Sequence, residues 1–303
     1  MRSNNPGQIE EGLWLLGTKE SCVYLLEGSQ SSVLISAGMS YILPDLLRQI
    51  DAFGISSHKI GHIIILHSHF DHVGIVPFLK RRWPKVKIYA SARAWQVLSN
   101  PRAVSVINDY TLKVCRRVRG NTDDLSVLDW QWRYDVQGET LGQGSRIDLG
   151  NRHIIIHETP GHSSCSISAY VPHLKVLFPS DAVAIPYHDE YVIASGSSFP
   201  QYQQSLDKLS GLNIEILCAD HYGYVRGDEA NHYIARSREA TQQMMDRLRL
   251  ALRQEGSAEK AAGQLVKHHF DQRPDYFVDP DILLVTYTRM LKQFIDSGAH
   301  PLS

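Results

Sequence analysis

The stretch Ile63-Ile64-Ile65-Leu66-His67-Ser68-His69-Phe70-Asp71-His72-Val73-Gly74 decides the fold. Its first four residues form a short apolar run of the kind that makes a buried strand. Three imidazoles and a carboxylate follow within six residues, where that strand should end. Crowding them there is costly unless something binds them, and two divalent metal ions would satisfy all four at once. Histidine is abundant in the chain, 15 in 303 residues, so some clustering is expected. The HxHxDH spacing directly after a buried run goes beyond that, provided further ligands lie downstream.

Candidates appear in order. Thr159-Pro160-Gly161-His162 follows the apolar run Ile154-Ile155-Ile156, and Ser180-Asp181-Ala182 follows Val176-Leu177-Phe178. Asp220-His221-Tyr222-Gly223 follows a further run at 214–219. Each lies just past a predicted strand, where loops on a rigid sheet carry chemistry. Two metals can share a bridging hydroxide, because each lowers the pKa of the bound water; that hydroxide attacks a carbonyl or phosphoryl centre. Asp71 is the residue expected to orient the metal-bound water or take its proton. Ser163, Ser164 and Cys165 flank His162, but no activating base for a covalent route through Cys165 is evident.

These four pieces resemble the metallo-β-lactamase-fold hydrolases over roughly residues 10 to 225. The resemblance implies an α/β fold, an αββα sandwich with a binuclear site on one edge. By position, His67, His69 and His162 would hold one metal, Asp71, His72 and His221 the other, and Asp181 would bridge them. Mixed histidine and carboxylate ligation suits zinc, iron and manganese alike. The chain also departs from the family pattern. Ser36 in Val33-Leu34-Ile35-Ser36-Ala37-Gly38 stands where a supporting Asp is common, and Leu66 replaces a frequent Thr. Ser180 replaces the Gly of a GDA motif, and Asp220 and Tyr222 replace the glycine neighbours of the last histidine. Such changes around the ligands usually tune a site and do not abolish it.

An apolar fraction of 43% is ample for a sizeable core. A net charge of −1 gives no sign of a nucleic-acid or membrane partner. The N-terminus lacks a signal-peptide layout, and no apolar run approaches a membrane span. Cys22, Cys115, Cys165 and Cys218 are widely spaced and read as reduced thiols, which fits the cytoplasm.

The first half reads as strands at 13–17, 22–27, 33–36, 62–66 and 86–90, with helices at 44–53 and after Gly74. A second strand set is expected from about Trp130 to Phe178, then a helix near 201–209. A helical insertion at about 91–128 has Val104, Ile107, Thr111, Val114 and Val118 on one stripe, between Asn100-Pro101 and Gly120-Asn121. Helices at 229–254, 257–270 and 280–296 form a C-terminal extension. The expected division is a catalytic domain over 1–227 and a helical extension over 228–303 that covers the site.

In this layout the chain resembles the quinolone-signal response proteins of quorum sensing, thioesterase-like members of the same fold. The similarity rests on Pro6-Gly7-Gln8-Ile9, Leu13-Trp14-Leu15-Leu16-Gly17, Pro77-Phe78-Leu79, Ala90-Ser91 and Arg289-Met290-Leu291. It implies hydrolysis of an acyl thioester of the coenzyme A or glutathione type. A lactonase or esterase on the same site is the alternative. A role of another class is a signalling regulator acting through protein contacts, with Arg236, Arg238, Arg247 and Arg249 as contact residues; a homodimer is a further expectation. Ile185 stands where those relatives can carry an acidic residue. With His188, Tyr222, Thr286 and Tyr287 it makes up the expected substrate pocket.

Overall fold

Alternation along the early strands sets the architecture. Leu13, Leu15, Tyr24, Leu26, Val33, Ile35, Ile64 and Leu66 enter one apolar core, while Leu16, Val23, Leu25, Leu34, Ile63 and Ile65 enter another. Successive side chains point to opposite faces of a strand, so these strands must be covered on both sides. The structure, a computed structural model, describes residues 2–193 and 198–296.

In chain order the strands are β1 (Arg2–Ser3), β2 (Gly7–Glu10), β3 (Leu13–Thr18), β4 (Ser21–Glu27), β5 (Ser32–Ile35), β6 (Ile60–Ile64), β7 (Lys87–Ser91) and β8 (Glu139–Leu141). They continue as β9 (Arg146–Asp148), β10 (His153–Glu158), β11 (Ile167–Val171), β12 (Val176–Phe178), β13 (Ile185–Tyr187), β14 (Glu190–Val192), β15 (Ile216–Cys218) and β16 (Tyr224–Arg226). The helices are α1 (Leu43–Ala52), α2 (Val76–Arg82), α3 (Ala92–Leu98), α4 (Pro101–Arg119), α5 (Asp123–Ser126), α6 (Phe199–Leu209), α7 (Asp228–Glu255), α8 (Ala258–Gln272) and α9 (Pro280–Asp296).

Strands β2 to β8 make one sheet in sequential order, antiparallel as far as β5 and parallel from β5 to β8. The other runs β1-β16-β15-β12-β11-β10-β9. Ile154, Ile156, Ile167, Ala169, Phe178, Ile216 and Cys218 from this second sheet share the inner core with the first. Helix α1 lies on β3, and α7 lies on β15 and β16. The result is the expected αββα sandwich.

The insertion is framed as its sequence predicts. Asn100 caps α4, its side-chain oxygen accepting from the N–H groups of Arg102 and Ala103, and Gly120 ends it at φ 78°. The tail helices fall where expected; residues 297–303 of that extension lie outside the described residues.

The second strand set needs correction. No strand occupies 130–138, and the next one, β8, belongs to the first sheet beside β7. The reason is local: the Asn108 side chain takes both the N–H and the C=O of Trp132, at 3.2 Å each, and the indole N–H bonds to the Val73 carbonyl. A backbone so engaged has nothing left for a ladder. The membership of β1 in the second sheet and the β13–β14 hairpin were also not anticipated.

Candidate metal centre

Four strand ends bring the predicted residues together. The 67–72 segment follows β6, His162 follows β10, Asp181 follows β12, and His221 lies between β15 and β16. Three groups of donor atoms result: His67, His69 and His162; His67, His72 and Asp181; and Asp71, His72 and His221. His162 Nε2 lies 3.2 Å from His67 Nε2 and 2.9 Å from His69 Nδ1. His221 Nε2 lies 3.2 Å from His72 Nε2, and both are 3.6 Å from Asp71 Oδ2. Asp181 Oδ2 sits between the two sets, 3.2 Å from His72 Nε2 and 3.3 Å from His162 Nε2. A tetrahedral zinc site with bonds of 2.0–2.1 Å has ligand–ligand edges of about 3.3 Å.

Hydrogen bonds on the far side of the rings fix which nitrogen carries the proton. His221 Nδ1 donates to the Glu20 carbonyl at 2.6 Å, and His72 Nδ1 donates to Asp220 Oδ2 at 2.8 Å. Ser180 Oγ gives its proton to Asp220 Oδ2 at 2.6 Å, so it must accept from His67 Nδ1 at 3.0 Å. In each neutral ring the Nε2 facing inward is therefore a lone pair. Lone pairs 3.2 Å apart repel unless a cation lies between them. A proton relieves one pair of donors; a ring of five imidazoles and two carboxylates fits metal ions.

Electrostatics keep His67, His69 and Asp181 in their binding forms. Burial, then His72, His69 and His162, hold His67 well below the usual histidine range. Burial and then His162 do the same to His69. Burial would raise Asp181, but His72 and His162 overcome it and bring the carboxyl well below its ordinary value. His72 goes the other way: burial opposes its charge, yet Asp181 and Asp71 outweigh that and raise it. Neutral imidazoles and ionised carboxylates are what a cation needs.

The insertion and the tail both reach this centre. Tyr110 of α4 meets Phe70 edge-on at 5.6 Å. Phe277, between α8 and α9, stacks on His221 at 4.7 Å, and Tyr187, Tyr222 and Tyr276 pack around it. Arg117 of α4 donates to the Tyr276 carbonyl at 3.1 Å and lies over the Phe270 ring, joining insertion to tail. His67, His72 and His221 are almost wholly buried, whereas His69 is half-buried, so solvent approaches from the His69 side.

The expected pocket residues scatter. Tyr222 joins the aromatic wall, Ile185 is buried on β13, and His188 is exposed at the hairpin turn. Thr286 is half-buried on α9. Tyr287 lines a separate cavity of about 760 Å³ with His269, Arg247 and Arg273, and none of the seven candidate ligands is in that lining. Three of the four tail arginines bond within the chain: Arg236 to Glu239, Arg238 to Asp207 and Arg249 to Asp246. Cys165 Sγ lies 3.2 Å from Ser68 Oγ and Ser163 Oγ, with no imidazole or carboxylate among its described contacts. Sequence reasoning missed Phe277, Tyr276 and Arg117, which carry no local signal, and noted Ser180 and Asp220 only as departures.

Comparison with known proteins agrees with this geometry. The chain is 29% identical over 189 residues to the acyl-coenzyme A thioesterase MBLAC2 of Gallus gallus, covering 58% of this chain and 61% of that one. It is 26% identical over 121 residues to a hydroxyacylglutathione hydrolase of Legionella pneumophila, covering 40% of this chain and 33% of that one. The crystal structure of the metallo-beta-lactamase family protein TTHA1429 from Thermus thermophilus superposes with a TM-score of 0.68 over 96% of both chains, at 17% identity. The sequence profile of the metallo-beta-lactamase superfamily matches residues 17–221, which include strands of both sheets and all seven candidate ligands, and the chain belongs to that superfamily.

Proposed function

We propose that this protein hydrolyses acyl thioesters of the coenzyme A or glutathione type, using two divalent cations. The observation that carries the reading is the set of inward-facing lone pairs on His67, His72 and His221, fixed by their outward hydrogen bonds. His67, His69 and His162 would hold one cation, Asp71, His72 and His221 the other, with Asp181 shared. When bound, such a pair supplies water ionised near neutral pH and an electrophile for the carbonyl oxygen. Asp71 holds the proton of the attacking water and aims its lone pair. Phe277 and the tyrosines around it exclude solvent on the His221 side. Residues 1–227 form the catalytic unit in this reading, and the helices from 228 onward cover it.

The aromatic wall favours a thiolate over an alkoxide as leaving group. An alkoxide needs a proton donor, whereas a thiolate leaves unaided. The Tyr187 hydroxyl is committed to Asp275, and burial with that carboxylate pushes its pKa up to about 12. Burial pushes Tyr222 up as well. The similarity to a coenzyme A thioesterase and a glutathione thioester hydrolase points the same way. The test is a hydrolysis panel of acyl-coenzyme A, acyl-glutathione, lactone and phosphodiester substrates on metal-loaded protein. Turnover highest on a thioester is expected; lactone or phosphodiester turnover exceeding it by tenfold overturns the assignment.

A further inference from the structure

Two of the departures from the family pattern lie behind the candidate ligands and touch one another. Asp220 is 3% exposed, and its hydrogen bonds converge on a single oxygen: Oδ2 accepts from His72 Nδ1 and from Ser180 Oγ, while Oδ1 has no partner among the described residues. Ser180 passes the connection on to His67 Nδ1. His72 groups with Asp71 and His221, His67 groups with His69 and His162, and the two meet in a third group with Asp181, so one carboxylate oxygen sits behind both halves of the centre. Ser36 does not share the task, since its buried hydroxyl has no partner among the described residues.

The backbone shows that the serine is kept at a cost. Ser180 adopts φ 52°, a left-handed conformation that glycine takes freely and an L side chain does not. Strain of this kind persists where surrounding interactions hold it, and it clusters at functional sites. Here those interactions are the two hydrogen bonds of the Ser180 hydroxyl. We infer that Asp220 is a shared positioning residue that orients His72 directly and His67 through Ser180, and so supports both cation sites.

The inference rests on the two-cation reading, and its test separates the two. Cobalt(II) is titrated into chelator-treated full-length protein, its binding followed by visible absorption and the imidazole Nδ1–H protons by paramagnetic NMR. Loss of an outer hydrogen-bond partner weakens metal binding about 10- to 100-fold. Asp220→Ala should therefore weaken both sites in that range, and Asp220→Asn, which still offers an acceptor oxygen, should recover most of the loss. Ser180→Gly should weaken only the site holding His67 and speed solvent exchange of the His67 Nδ1 proton, leaving the His72 proton as it was. The same variant, freed of the left-handed serine, should melt no lower than the parent before cobalt is added. Parent-like cobalt affinity in both Asp220→Ala and Ser180→Gly overturns the inference alone. So does equal weakening of both sites by Ser180→Gly. A parent protein that takes up fewer than two cobalt ions overturns the two-cation reading and the inference with it.

Discussion

His269 offers a quantitative test of how the tail is held over the centre. It lies buried in α8, 3.2 Å from the Tyr287 hydroxyl and 4.6 Å, ring to ring, from Tyr276. Burial first, then Arg273, His268 and Arg247, pulls its pKa from 6.5 to about 3. In the unfolded chain the imidazole returns to its ordinary value and takes up a proton that the native state refuses. The stabilisation is thus complete above about pH 6.5 and is lost as the pH falls toward 3. One proton bound only by the unfolded state costs about 1.4 kcal/mol per pH unit, which gives about 2 kcal/mol at pH 5. Urea denaturation of the parent and of His269→Phe at pH 7 and pH 5 isolates this quantity. Protonation of the metal-binding histidines affects both proteins equally and cancels in the double difference. The parent should lose about 2 kcal/mol more than the variant between the two pH values. Equal losses, or an NMR titration of His269 with a midpoint near 6.5, would refute the reasoning.

Three further outcomes are expected. Cys165→Ser should keep hydrolysis within a few-fold of the parent, because no imidazole or carboxylate is among the thiol's described contacts; a hundredfold loss with metal retained would instead indicate a covalent route. Asp181→Ala should lower bound metal below one equivalent by elemental analysis, since the carboxylate lies 3.2 and 3.3 Å from imidazoles of both sets. Asn100→Ala should cost about 1 kcal/mol in chemical denaturation by removing the cap of α4, with hydrogen exchange rising at the N–H groups of Arg102 and Ala103.

The sequence displayed those parts of the fold and site that follow from local pattern. HxHxDH after an apolar run placed four candidate ligands, three imidazoles and a carboxylate, at the end of a strand, and Asn100 and Gly120 framed α4 to the residue. The tail helices were legible as helical patterns at 229–254, 257–270 and 280–296. What escaped depends on contacts between distant residues. Nothing in the 130–138 segment announces that Asn108, 24 positions upstream, will take the backbone of Trp132 and end the ladder. Phe277 reads as one aromatic residue in a loop until the tail folds it onto His221. Asp220 could have been suspected, because a carboxylate at the end of an apolar run needs a buried partner. That its partner is His72, 148 residues away, only the fold reveals.

In this reading five imidazoles and two carboxylates, three of the rings with tautomers fixed from behind, form a centre for two cations. Elemental analysis of protein expressed in metal-supplemented medium tests it most directly. Close to two equivalents of zinc, iron or manganese per chain are predicted, and less than half an equivalent would contradict the account.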